Sequence, residues 1–135
     1  MTEMPSIDAW LREAKADPDF RSCGMYLVHN GVVRETPKAE VRGIETDGVQ
    51  PGNKVGGMVF SYDDAKVAAA VEEARGWPGI GYVRVWLNSG ELSVGDDIML
   101  VLIGGDIRPH VIDALQNLVG TIKNTCVVET ELAQE

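Results

Sequence analysis

The side chains equipped for chemistry are few in this chain of 135 residues, and their spacing decides what they could do. There are two histidines, His29 and His110, and two cysteines, Cys23 and Cys126. A closed zinc site needs its ligands in close-set pairs, and these residues are scattered, so the reading assigns no metal and no cofactor. Both cysteines fall in β-rich segments, where a buried, inert thiol is the ordinary outcome. Gly104-Gly105-Asp106 precedes a helical pattern, and the free N–H groups of a helix start can hold an anion. The aspartate also explains itself as the N-cap of that helix. The acidic pairs Asp63-Asp64, Glu72-Glu73 and Asp96-Asp97 occupy a helix cap, a helix surface and a turn, with nothing beside them to make a carboxylate catalyst. Of the cations, Arg34 ends a strand, Arg108 opens a helix, and Lys123 lies in that helix's last turn, where a positive charge meets the negative end of the dipole.

The elements that position these groups are legible from periodicity. Ile7, Trp10, Leu11 and Ala14 make one helical stripe over residues 1–20, with Ser6 as N-cap and Asp17-Pro18 as the stop. A strand follows over 23–34, with Met25, Leu27 and His29 on one side and Tyr26 and Val28 on the other. Residues 35–54 are weaker: Pro37 interrupts the strand, residues 40–44 read as a short strand, and Asp47-Gly48 and Pro51-Gly52-Asn53 are turn chemistry. Val55–Tyr62 reads as a strand, and Asp63 caps a helix that Gly76-Trp77-Pro78-Gly79 ends. Ile80–Leu87, Glu91–Val94 and Ile98–Ile103 read as strands joined by tight turns, which call for antiparallel pairs. The last is continuously apolar, the mark of a strand covered on both faces. Asp106 then caps a helix over 107–123, and residues 126–132 read as a final strand. The fold class that follows is α+β: a mostly antiparallel sheet with helices packed on one face, in a single domain spanning 1–135.

Composition bounds the function. A formal net charge of −9 argues against nucleic-acid partners, whose phosphates need Lys and Arg. No apolar run reaches the ~20 residues of a membrane span and no signal pattern opens the chain, so a cytoplasmic protein with no membrane partner is expected. There is no P-loop, no G-x-G-x-x-G after a strand, no nucleophile elbow and no H-E-x-x-H.

Order and spacing add a resemblance. Gly24-x6-Gly31-x-x-Arg34 looks like the glycine-bounded strand ending in G-[RK]-V-R of the large, catalytic subunits of molybdopterin synthase. Phe60-Ser61-Tyr62 is similar to their L-x-Y-x-x-Y segment. Ser89-Gly90-Glu91-Leu92-Ser93-Val94-Gly95-Asp96 resembles V-G-R-L-x-V-G-E, and from Val83 to Lys123 the match runs without a gap. Residues 35–54 lie outside it. The resemblance implies sulfur transfer from a thiocarboxylate, on the Gly-Gly tail of a small ubiquitin-like subunit, to a phosphate-bearing cyclic pterin. It implies a homodimer as well.

Residue by residue, the resemblance puts Lys123 on the family's first active-site lysine and Arg34 on its strand-end arginine. Arg108 falls on the arginine of the S-P-H-R motif. It therefore implies Lys123 as catalytic, with Arg34 and Arg108 binding substrate. The departures are as informative. Ile107 replaces the histidine of S-P-H-R, and Trp86-Leu87-Asn88 replaces an H-H-R. The second lysine, from W-K-[KR]-E, falls on Thr130, with Glu129 for the tryptophan. Lys38 and Lys54 are the nearby lysines left open as spatial substitutes. Cations are what such a reaction requires, to bind phosphate and stabilise developing charge. A relative that binds a partner or an anionic ligand without catalysis is the alternative. Arg108 and Lys123 are fifteen positions apart on one helix. At 1.5 Å per residue that is about 22 Å, too far to grip one pterin from one chain, so a shared site needs two chains.

Overall fold

The computed structural model describes residues 1–42 and 48–134. In chain order the elements are α1 (Ile7–Lys15), β1 (Met25–Val32), α2 (Lys38–Arg42), β2 (Val55–Tyr62), α3 (Asp64–Arg75), β3 (Ile80–Leu87), β4 (Gly90–Ser93), β5 (Asp97–Gly105), α4 (Arg108–Thr121) and β6 (Val127–Ala133). A 3-10 turn, Pro18–Ser22, follows α1, and a π-helical turn, Ile122–Cys126, extends α4.

The apolar run becomes β5, the centre of an antiparallel sheet ordered β1-β5-β3. Side chains alternate across a strand. Leu100 and Leu102 therefore pack with Trp10 and Ala14 of α1, together with Tyr26, Val28, Tyr82 and Trp86. Met99, Val101 and Ile103 turn the other way, into the core built by Ala70 and Ala74 of α3 and Val111, Ala114 and Leu118 of α4. Met25 and Leu27 join that second core, as their alternation predicts. The placement of helices on one face holds for α3 and α4, whereas α1 takes the opposite face. A strand apolar on both sides requires a cover on both.

Sheet pairing departs from the tight-turn reading. β3, β4 and β5 do not form successive hairpins: β3 pairs with β5, and β4 crosses to a second antiparallel sheet ordered β4-β2-β6. Asn88 holds the crossover. It is 2 % exposed, its Oδ1 accepts from the N–H groups of Thr2 (2.8 Å) and Ser89 (2.9 Å), and its Nδ2 donates to the Asp97 carbonyl (2.8 Å). A buried side-chain amide satisfied on both ends replaces the ladder that a hairpin would have supplied.

Caps explain most boundaries. Ser6 Oγ accepts from Ala9 N–H at 3.2 Å, and Asp63 Oδ1 accepts from Ala65 and Lys66 N–H groups at 3.0 and 3.1 Å. The expected N-cap of α4 shifts by one residue to Ile107. Asp106 instead accepts from Ile107 N–H (2.7 Å) and meets His110 Nδ1 (2.8 Å), which holds its carboxyl below the usual carboxylate range. The short strand read over residues 40–44 is overturned by α2. Pro37 immediately precedes this helix, its carbonyl accepting from the N–H groups of Glu40 (3.1 Å) and Val41 (3.2 Å). The Asp47 half of the Asp47-Gly48 turn, and Ile44, lie outside the described residues. Among the described residues no helix is long and apolar enough to cross a membrane.

Candidate functional site

The two sheets meet where β1 ends and β5 begins. The β1–β5 register shifts there: Gly31 faces Met99 and Val32 faces Asp97, leaving Ile98 without a partner across the ladder. Irregularities of this kind end pairing and re-aim side chains. The space they open is a cavity of about 190 Å³, floored by Val32, Met58, Ile98 and Met99. Gly31 also lines it, and a Cβ at that position would meet Met99 Cγ at 3.0 Å.

Among the described residues three cations line this cavity: Arg34, Lys38 and Lys123. Arg34 stands just beyond β1, exposed, its Nε donating to the Thr36 carbonyl at 3.1 Å. Lys123 sits in the π-helical turn after α4, not in the last α-helical turn as the periodicity predicts. Single π turns of this sort recur at functional sites. Lys38 opens α2. Its main-chain N–H donates to Glu131 Oε2 at 2.9 Å, and its ammonium forms an ion pair with Glu129.

The facing wall is β6, where alternation sends Glu129 and Glu131 into the cavity and leaves Val128 and Thr130 exposed. Glu129 Oε1, Glu131 Oε1 and His29 Nε2 are buried and have no hydrogen-bond partner among the described protein groups. Leaving such an atom unsatisfied costs about 1–3 kcal/mol, so all three are open to a ligand's donors. Burial lowers the His29 pKa, and the nearby Lys123 charge lowers it further, which favours the neutral ring.

The arrangement thus brings together two of the three site residues that the resemblance implies, Lys123 and Arg34. Arg108 is not among the cavity's lining; it is exposed at the opposite end of α4, as the helix length predicts. Lys54 is also elsewhere, in an exposed ion pair with Glu35 at 3.4 Å. Sequence reasoning missed His29, Glu129 and Glu131 as cavity residues, whereas Lys38, which it left open as a spatial substitute, does line the cavity. The first lies on the inward side of β1 with Met25 and Leu27, and the two glutamates have the period of a half-buried strand, so a signal existed for those three.

Chemically the cavity joins an anion-binding set to neutral and anionic acceptors. Among the described residues three cations stand against two carboxylates in it, in a protein whose net charge is −9.

A family model described as the MoaE protein matches residues 2–125. Among curated proteins none matches. Of the solved structures, molybdopterin synthase from Staphylococcus aureus is 19 % identical, with a TM-score of 0.73, covering 100 % of this chain and 90 % of that one. The complex of subunits 1 and 2 of molybdopterin-converting factor from Helicobacter pylori is 17 % identical, with a TM-score of 0.63, covering 95 % of this chain and 76 % of that one. The MoaE molybdopterin biosynthesis protein from Burkholderia ambifaria is 16 % identical, with a TM-score of 0.66, covering 98 % and 87 %. At such identities the structures establish a shared fold, and the family model, spanning nearly the whole chain, establishes descent: the chain belongs to the MoaE protein family.

Proposed function

We propose that this chain is the large subunit of a molybdopterin synthase and acts in molybdenum cofactor biosynthesis in the cytoplasm. It moves sulfur from the thiocarboxylate on the Gly-Gly tail of a small ubiquitin-like subunit to a phosphate-bearing cyclic pterin. The observation that carries this reading is the convergence of Lys123 and Arg34 on one cavity. These residues come from different elements, and the resemblance implies both for the site. The Helicobacter pylori complex of two subunits supports a small-subunit partner.

Lys123 is the catalytic cation in this reading, and Arg34 binds the substrate's negative charge. Cations fixed before the reaction stabilise charge as it develops, at no cost in reorganisation. Arg108, at the far end of α4, serves the site of a second copy of the chain, which requires a homodimer with composite pockets. The whole chain, 1–135, works as one domain.

A second reading is favoured by one observation: Glu129 and Glu131 face the cavity from β6, the strand on which the resemblance expects a lysine. In that reading the chain is a non-catalytic relative that keeps the fold and dimer and binds a protein partner or an anionic ligand. The decisive experiment supplies the thiocarboxylated small subunit from the same organism with the cyclic pterin and follows dithiolene product. Product establishes the synthase. A folded, dimeric chain that yields none leaves the binding role. Light scattering at micromolar concentration tests the dimer, and a strictly monomeric species removes Arg108 from the site.

A further inference from the structure

The lysine missing from β6 has a replacement in space. We propose that Lys38 is the second substrate-contacting cation of the cavity, and that Glu129 is the residue that positions it. The inference rests on the synthase reading for its substrate, a phosphate-bearing pterin, but its geometry stands on this chain alone.

Strand alternation excludes β6 as the source. Thr130, where the resemblance puts the second lysine, is exposed and absent from the cavity lining, and both inward positions, Glu129 and Glu131, are carboxylates. Lys38 comes to the same wall from the opposite direction, at the start of α2, and lines the cavity with Arg34 and Lys123. It is held at two points. Glu131 Oε2 accepts from its main-chain N–H at 2.9 Å, fixing the backbone, and Glu129 pairs with its ammonium, fixing the side-chain end. The Glu129 side chain is only 6 % exposed and that of Lys38 is 21 % exposed, so the pair is largely withdrawn from water while the ammonium still borders the cavity. The anchored main-chain N–H and the paired ammonium together limit how far the side chain can wander. The glutamates on β6 thus read as the mount for a cation that arrives from another element. Lys54 has no such mount, being exposed in its pair with Glu35.

The test uses the full chain with its thiocarboxylated partner, and inorganic phosphate as an independent probe. Lys38→Met should lower sulfur transfer about 100-fold, on the scale of losing one preorganised charge-stabilising donor. Lys38→Arg should keep a substantial part of it, and this conservative rescue separates charge from fold. The exchange Lys38→Glu with Glu129→Lys returns an amine to the cavity from β6. It should transfer sulfur at least 10-fold faster than Lys38→Glu alone, a recovery that a merely structural ion pair would show in melting temperature and not in rate. Transfer at the wild-type rate in Lys38→Met, with the variant folded, overturns the proposal. So does an exchange variant no faster than Lys38→Glu despite a restored melting temperature. If the wild-type chain makes no product, the synthase reading fails and the phosphate titration decides for Lys38. Phosphate affinity at least 10-fold weaker in Lys38→Met supports it, and equal affinity, or no binding by either, overturns it.

Discussion

Along β5 every residue from Ile98 to Gly105 is buried, whereas along β6 exposure alternates, with Glu129 and Glu131 turned into the cavity and Val128 and Thr130 turned to solvent. The two strands belong to different sheets and meet different demands. β5 is sandwiched between α1 and the α3–α4 layer, and any charge on it would lose its hydration without gaining a partner. β6 has one wet face and one that borders a polar cavity, so it tolerates carboxylates that an ammonium and a main-chain N–H satisfy in part. The difference teaches where chemistry fits in this fold: at the seam between the sheets, on strands that are half covered.

Four changes and one titration break or sharpen that contrast. The largest effect belongs to β5. Leu102 is 1 % exposed against α1, and Leu102→Ala should cost about 2–5 kcal/mol in denaturant unfolding, since the surrounding layers cannot collapse onto the gap. At the seam the effect moves from stability to rate. Lys123→Ala should lower sulfur transfer about 100- to 1000-fold. Its melting temperature should fall by only a few degrees, because a half-buried helix-end cation contributes about 1–2 kcal/mol. Equal transfer in that variant would remove Lys123 from the mechanism. Asn88→Ala, at the crossover between the two sheets, should cost about 1–3 kcal/mol by stranding buried partners, again read in denaturant.

The titration concerns His29. Its native pKa lies below the ordinary value of about 6.5, through burial first and Lys123 second. The unfolded chain therefore binds more protons than the native one below pH ~6.5. This contribution to stability is present above that pH and is lost as the pH falls through the native pKa. NMR titration of the ring protons should give a depressed midpoint that rises, without fully normalising, in Lys123→Ala. A midpoint indifferent to that substitution would separate the two residues. The smallest effect is on the wet face of β6: Thr130→Lys should add no sulfur transfer and change stability by less than about 0.5 kcal/mol, because position 130 faces solvent. A gain of transfer there would mean that sequence position, not strand face, governs the site.

Much of this molecule was legible before any coordinates. The Ile7, Trp10, Leu11 and Ala14 stripe, the Asp63 cap, the bounds Val55–Tyr62 and Ile80–Leu87, and the sidedness of β1 all came from local patterns, and the structure repeats them. Where the reading failed, the deciding forces were not local. The turns around β4 look like hairpin turns, yet β4 pairs with β2, because an amide at Asn88 and the burial of Leu92 favour the crossover. The segment read as a short strand over 40–44 is helical through Arg42, because Pro37 and the anchoring of Lys38 by Glu131 favour α2.

The sequence by itself determined the elements, the two-sided burial of β5 and the presence of Arg34 and Lys123 at element ends, since periodicity, capping and apolar continuity act over a few residues. Only the tertiary structure decided which strands pair and which charges share the cavity. Lys38 meets Glu131 across 93 positions of chain, and no local preference encodes such a contact. Pairing is settled when whole faces are buried together, because each strand has several apolar partners of similar worth and only the complete core distinguishes them.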